Sequence, residues 1–155
     1  MIRVLFVCLG NICRSPMAEG VFQHMVNEAG LGEKILIDSA GTASYHEGEQ
    51  AHSGTRRVLQ EHGIDYRGRA RTLTRNDFYN FDYILAMDAD NLADIHSRQP
   101  SDSKAHIRLF LDYAPDQHVR EVPDPYYNGR FQEVYELVSA ASQGLLAEIR
   151  KTHEL

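Results

Sequence analysis

The chain starts on a nearly unbroken apolar run, Ile2 to Val7, interrupted only by Arg3, which passes directly into Cys8-Leu9-Gly10-Asn11-Ile12-Cys13-Arg14-Ser15. A short, almost continuous apolar run suits a strand covered on both faces, as in the middle of a parallel sheet. After it, Ser15 reads as an N-cap and Pro16 as the first helical residue. Glu19 falls one position too late for a strict capping box. Ala18, Val21, Phe22, Met25 and Ala29 recur at helical spacing and read as core packing, and Gly30 ends the helix. Strand, tight loop and helix N-terminus follow one another with no residue to spare.

The remaining sequence repeats that alternation. Ile35–Asp38 reads as a second short strand, closed by Ser39-Ala40-Gly41-Thr42. A helix is expected over about Ala51 to His62, with Gly63 and Ile64 as its left-handed cap and apolar contact. Asp77 to Tyr79 reads as a helical turn, Tyr83–Met87 as a third strand, and Asp88–Ser97 as a helix ended before Pro100. Ile107–Leu111 reads as a fourth strand and Arg120–Asn128 as a loop stiffened by Pro123 and Pro125. Phe131, Val134, Val138, Ala141, Leu145 and Ile149 mark a long last helix, weakened slightly by Gly144. Alternating strands and helices imply right-handed crossovers: an α/β fold, a doubly wound parallel sheet with helices on both faces. A site in such a sheet lies beyond the carboxyl ends of the strands, where strand order reverses. The Cys8 loop follows one such end.

With 155 residues the chain reads as a single domain, 1–155, large enough for a proper core. No apolar run is long enough to span a membrane, and no secretion signal is visible, so a cytoplasmic location is the default expectation. The net charge of −6 argues against a general nucleic-acid binder, so an anion site must be made locally. Arg67, Arg69, Arg71 and Arg75 form a basic run. It reads as a solvated face, with a rim attracting an acidic ligand as the alternative. The eight histidines are scattered without metal-ligand spacing.

Loop N–H groups and the positive end of a helix dipole converge on one spot and suit an anion. Arg14 can hold two oxygens of that anion with its planar fork. The same field favours the thiolate of Cys8 at neutral pH, and Ser15 can donate its hydroxyl to it. A nucleophilic sulfur on the floor of an oxyanion cradle is equipped to attack phosphorus in a phosphate monoester. Asn11 tolerates left-handed backbone angles and can shape the loop, with Ser39 a possible partner from the next strand end.

These residues, with Asp124-Pro125-Tyr126-Tyr127, Asp38-Ser39-Ala40-Gly41-Thr42 and Ala86-Met87-Asp88 downstream, closely resemble the low-molecular-weight protein tyrosine phosphatases over essentially the whole chain. The resemblance implies a four-stranded parallel sheet and hydrolysis of phosphotyrosine and aryl phosphate monoesters through a cysteinyl-phosphate. Cys8 would be the nucleophile, Arg14 the phosphate anchor, and Asp124 the general acid and then base. Leu9, Gly10, Asn11, Ile12, Cys13 and Ser15 would complete the phosphate loop, and Ser39, Asp88 and Asn91 would support it. Tyr45, Tyr126 and Tyr127, with Leu9, would wall a slot deep enough to prefer phosphotyrosine over phosphoserine. No cofactor or metal is implied. The implied partners are a phosphotyrosine-containing protein and inorganic phosphate as product, with no nucleic acid or membrane, for a monomer or weak homodimer.

Cys13 lies close enough in sequence to Cys8 for a reversible disulfide that would trap the oxidised nucleophile. Arsenate reduction on the same fold would need further redox cysteines, and no cysteine follows Cys13. Phosphoarginine hydrolysis, also found in the family, goes with Thr at the place of Ile12. A non-catalytic phosphopeptide-binding module would be expected to lack Cys8 or Asp124.

Overall fold

A computed structural model describes all residues, 1–155. The elements run β1 (Ile2–Cys8), α1 (Arg14–Glu28), β2 (Ile35–Gly41), α2 (Ser53–Glu61), α3 (Asp77–Asn80), β3 (Tyr83–Ala86), α4 (Ala89–Arg98), β4 (His106–Leu109), a 3₁₀ turn (Phe110–Tyr113), α5 (Pro125–Asn128) and α6 (Phe131–His153). The four strands pair in parallel in the order β2-β1-β3-β4. Order therefore reverses at β1, and the chain leaves β1 at that switch point with Cys8, as expected for an α/β site.

The period of two along β1 divides its side chains between two cores. Ile2, Val4, Phe6 and Cys8 pack with α1 and α6 in the larger cluster, whereas Leu5 and Val7 pack with Phe78, Phe81 and Ile95 under α3 and α4. Both faces of the strand are covered, which is why its sequence reads apolar almost throughout. Phe6 anchors the larger core: its ring meets Phe22 edge-on at 5.8 Å and Phe110 at 4.8 Å. The apolar stripe of α6 — Val134, Val138, Ala141, Leu145 and Ile149 — is fully buried against it.

Several local expectations shift. The fourth strand ends at Leu109 rather than Leu111, because Phe110 and Leu111 turn inward on the 3₁₀ turn and are buried. Strand β2 continues through Gly41, so Ser39 and Ala40 lie in the sheet, not in a closing turn. Pro125–Asn128 is one helical turn, with Asp124 at its N-cap and Gly129 left-handed at its end. Gly144 is more than a weak point in α6, since a Cβ there would lie 1.8 Å from the Tyr113 carbonyl oxygen. The glycine lets the 3₁₀ turn sit against the helix backbone.

Helix α1 begins at Arg14. Cys13 occupies the N-cap position without a side-chain cap, and Pro16 stands third in the helix. Ser15 is therefore not the N-cap, and its hydroxyl is committed elsewhere, to the sulfur of Cys8.

Candidate active site

The loop after β1 holds its carbonyls outward. The Cys8 and Leu9 carbonyls accept from the N–H groups of Thr42 and Ala43 at 2.9 and 3.0 Å. The Ile12 carbonyl accepts from the His52 N–H at 2.7 Å, and that of Cys13 from the Thr55 hydroxyl at 3.0 Å. Gly41 permits this closeness, because a Cβ there would stand 2.8 Å from the Leu9 oxygen. With the carbonyls engaged from outside, the N–H groups of Leu9, Gly10, Ile12 and Cys13 have no partner within the protein. That of Asn11 donates to the Cys8 sulfur at 3.3 Å. Asn11 makes the turn with φ 58°, the left-handed region expected of it. The result is a ring of backbone donors with a sulfur at its base, suited to an anion.

A directional chain of hydrogen bonds fixes the side chains beneath. Asn11 Nδ2 donates to the hydroxyls of Ser15 (2.7 Å) and Ser39 (3.0 Å), while its Oδ1 accepts from the Arg71 N–H at 2.9 Å. The amide orientation follows from those three bonds. With its oxygen occupied by Asn11, the Ser15 hydroxyl has its proton free for the Cys8 sulfur at 3.0 Å. Ser39 in turn donates to Glu19 Oε1 at 2.6 Å, and Tyr66 donates to the same oxygen at 2.7 Å. Burial pushes the Glu19 carboxyl above its ordinary range, against the pull of the Ser39 and Tyr66 hydrogen bonds. Burial and the Glu19 carboxylate push the Tyr66 phenol upward as well, so it stays a donor.

Sequence reasoning missed Glu19, Tyr66 and Arg71. Glu19 carries one legible sign: it lies four residues after Ser15 and so shares its helix face. Arg71 does not belong to the solvated face expected of the basic run. It is instead half-buried between Asp38 at 3.0 Å and Asp77 at 3.0 Å. Arg67, by contrast, is exposed as expected, paired to Asp65 at 2.8 Å.

Arg14 is 4% exposed and joins the loop to the acid segment. Its Nη1 donates to Asp88 Oδ2 at 2.7 Å and to the Val122 carbonyl at 3.0 Å. Burial disfavours its charge, but the Cys8 sulfur, Asp88 and Asp124 together outweigh that and leave its pKa above the ordinary value. Nη1 is thus anchored, while Nε and Nη2 make no protein hydrogen bond; Nη2 stands 3.9 Å from Asp124 Oδ2. Asp88 also caps α4 through the Asn91 N–H at 2.7 Å. Asn91 joins the site through that backbone bond only; its buried Oδ1 has no partner.

Above the loop lies a cavity of about 240 Å³. Its floor is Cys8 with Ile12, Cys13 and Arg14, and Asp124 stands on its wall. Leu9, Tyr45, Tyr126 and Tyr127 form the rim together, all exposed. His46 joins them, close against Gly10, and no sequence pattern marked it. The two cysteines are free thiols of unequal character. Burial, with the negative charges of Cys8 and Asp124, pushes the Cys13 thiol up to about 12. Cys13 is held as a neutral thiol, and the sulfur facing the donors is that of Cys8. No three His, Cys, Asp or Glu side chains converge at metal-ligand spacing.

A parallel α/β fold with a cysteine-and-arginine oxyanion loop at its switch point defines a class, and known proteins similar in fold and sequence narrow it. The family of low molecular weight phosphotyrosine protein phosphatases matches residues 3–155. The chain is 46% identical to the low molecular weight protein-tyrosine-phosphatase YfkJ of Bacillus subtilis over the full length of both. The crystal structure of YfkJ superposes with a TM-score of 0.94 over 98% of this chain and 96% of that one. A low molecular weight phosphotyrosine protein phosphatase of Schizosaccharomyces pombe is 46% identical over 96% of this chain and 97% of its own. A Drosophila arginine phosphatase, DARP, shares the fold with a TM-score of 0.91 at 31% identity, over 96% of this chain and 98% of that one. The chain belongs to the low-molecular-weight protein tyrosine phosphatase family.

The Glu19 carboxyl generates a pH prediction. Its pKa is higher folded than unfolded, so the folded state holds the extra proton, and its contribution to stability is greatest at acidic pH. That contribution declines as pH rises from the ordinary carboxylate value through the folded one. Urea unfolding of wild type and Glu19→Gln across acidic to neutral pH should show wild type losing ground to the variant as pH rises. A difference that is flat, or that grows with pH, contradicts the assignment.

Proposed function

We propose that the chain hydrolyses phosphotyrosine and aryl phosphate monoesters through a phosphocysteine on Cys8. The observation that carries this reading is the Cys8 sulfur, which receives the Asn11 N–H and the Ser15 hydroxyl beneath a ring of unpaired N–H groups. Those N–H groups, with Nε and Nη2 of Arg14, hold the non-bridging oxygens of the phosphoryl group. The Cys8 thiolate attacks phosphorus, the sulfur–phosphorus bond forms, and the bond to the tyrosine oxygen breaks. Asp124, entering the step as the carboxylic acid, protonates that oxygen and becomes a carboxylate. The carboxylate then takes a proton from a water that attacks phosphorus. The sulfur–phosphorus bond breaks, the thiolate returns and inorganic phosphate leaves. The chain balances without metal or cofactor.

The slot favours an aromatic leaving group. Leu9, Tyr45, Tyr126 and Tyr127 offer rings and aliphatic surface to it, and the apolar Ile12 lines the floor. The polar guanidinium of a phosphoarginine would find less there. Nucleophile, phosphate anchor, acid and rim are all present in a single copy of the chain, which supports a monomer or weak homodimer as the working form. A nucleophilic thiol beside a second cysteine works in a reducing compartment, which supports the cytoplasm as its location.

Hydrolysis of an aryl phosphate in metal-free buffer should give a burst of phenolate. Cys8→Ser should abolish turnover, and Asp124→Ala should slow it about 10²–10⁴-fold, the range for a lost general acid. Full activity in Cys8→Ser would refute the mechanism. Cys13 supplies a redox arm: peroxide oxidises Cys8 to a sulfenic acid, and the Cys13 thiol displaces water from it to form a disulfide. Wild type should recover on added thiol and Cys13→Ser should not; equal recovery excludes that role.

A further inference from the structure

The catalytic cavity does not end at its rim. Ile12, His46 and Tyr126 line both the cavity and a second hollow beside it, which runs past His52 to Arg56 on α2. Arg56 and Gln50 also wall a polar basin beyond, whose far side carries Arg67 and Arg69. A continuous groove thus leads from the phosphate loop to three guanidinium groups.

The charges along the groove are unequally matched. Glu49 faces His46 at 3.2 Å, and Asp65 holds Arg67 at 2.8 Å. The groove's two carboxylates are therefore already engaged. Arg56 donates its Nε to the Ala51 carbonyl at 2.9 Å, and Arg69 donates Nη1 to the Gly48 carbonyl at 3.0 Å. These bonds fix both guanidinium groups at the groove without neutralising them, and neither Arg56 nor Arg69 has a carboxylate partner. Both are exposed. In a chain of net charge −6 this is a local positive surface, continuous with the site and lying against the overall field.

We infer that Arg56 and Arg69 bind acidic residues flanking the phosphotyrosine on one side of a substrate protein. With the aryl phosphate in the cavity, the adjoining peptide passes Ile12 and Tyr126 and brings an Asp or Glu to the pair. The inference rests on the phosphotyrosine reading and specifies the class of substrate it takes. Exposed pairs of this kind are individually weak, so the surface selects among substrates and does not drive the chemistry.

The test uses phosphotyrosine peptides of neutral sequence with a single Glu walked through each flanking position, and an aryl phosphate as the substrate too small to reach the groove. For wild type, Glu at one flank should raise kcat/KM about 2- to 5-fold, the range of an exposed ion pair. Arg56→Gln should lessen that gain, Arg56→Lys should retain most of it, and Arg56→Glu should transfer the preference to a Lys-bearing peptide. Turnover of the aryl phosphate should stay unchanged in all three. Equal rates across the peptide panel overturn the inference, as does an acidic preference indifferent to Arg56→Glu, or a loss of aryl phosphate turnover matching the loss on peptides. Absence of hydrolysis of every substrate, the aryl phosphate included, would instead overturn the phosphatase reading and this inference with it.

Discussion

Keeping backbone N–H groups turned inward around one sulfur is the constraint on which the rest of the molecule depends. Unpaired backbone donors are costly, and a loop left to itself would turn them to water or fold them into local turns. Here the opposite ends of the same peptides are captured from outside. Thr42 and Ala43 just beyond β2, and His52 and Thr55 at the start of α2, take the loop carbonyls. The sheet and helices are the means by which those four positions are held to the loop at once. Gly41 matters for the same reason, since any side chain there would push β2 away from Leu9.

The side chains beneath extend the principle. Ser15 could have capped α1, as its position suggests, but its oxygen accepts from Asn11 and its proton faces Cys8. The helix begins without a side-chain cap, which trades some local stability for an extra donor at the sulfur. Glu19, Ser39 and Tyr66 carry the same order inward, each bond fixing the direction of the next. Arg14 ties this loop to the segment bearing Asp124 through Asp88 and the Val122 carbonyl. Arg14 is buried while Asp88 is half-buried, and losing the arginine would leave Asp88 and the Val122 carbonyl without their donor, so Arg14 binds the site together as well as serving it.

How much of this could be read in the residues depends on how local each feature is. The strand, the loop, the left-handed Asn11 and the doubly wound sheet were legible, because short, nearly continuous apolar runs and a fixed Cys-to-Arg spacing lie within a few turns of chain. The Asn11 and Ser39 contact was legible from chemistry. The roles of Glu19, Tyr66 and Arg71 were not, because each depends on which segment folds against which: Tyr66 lies 47 residues from Glu19, and Arg71 meets Asp38 across 33. The Ser15 hydroxyl facing the sulfur was legible; that this displaces it from the N-cap was not, because capping and sulfur binding make the same demand of a sequence, a hydroxyl at a helix start. Phe110 and Leu111 were misread because apolar residues on a 3₁₀ turn and on a strand look alike over so short a run.

The account reduces to a difference between two cysteines five residues apart in sequence: one faces donors and an arginine, while the other is buried as a neutral thiol near 12. Alkylation by iodoacetate in mildly acidic buffer, read site by site with mass spectrometry, measures that difference directly. The account predicts that Cys8 is modified well ahead of Cys13 and that inorganic phosphate shields it. Equal modification of the two, unaffected by phosphate, would contradict it.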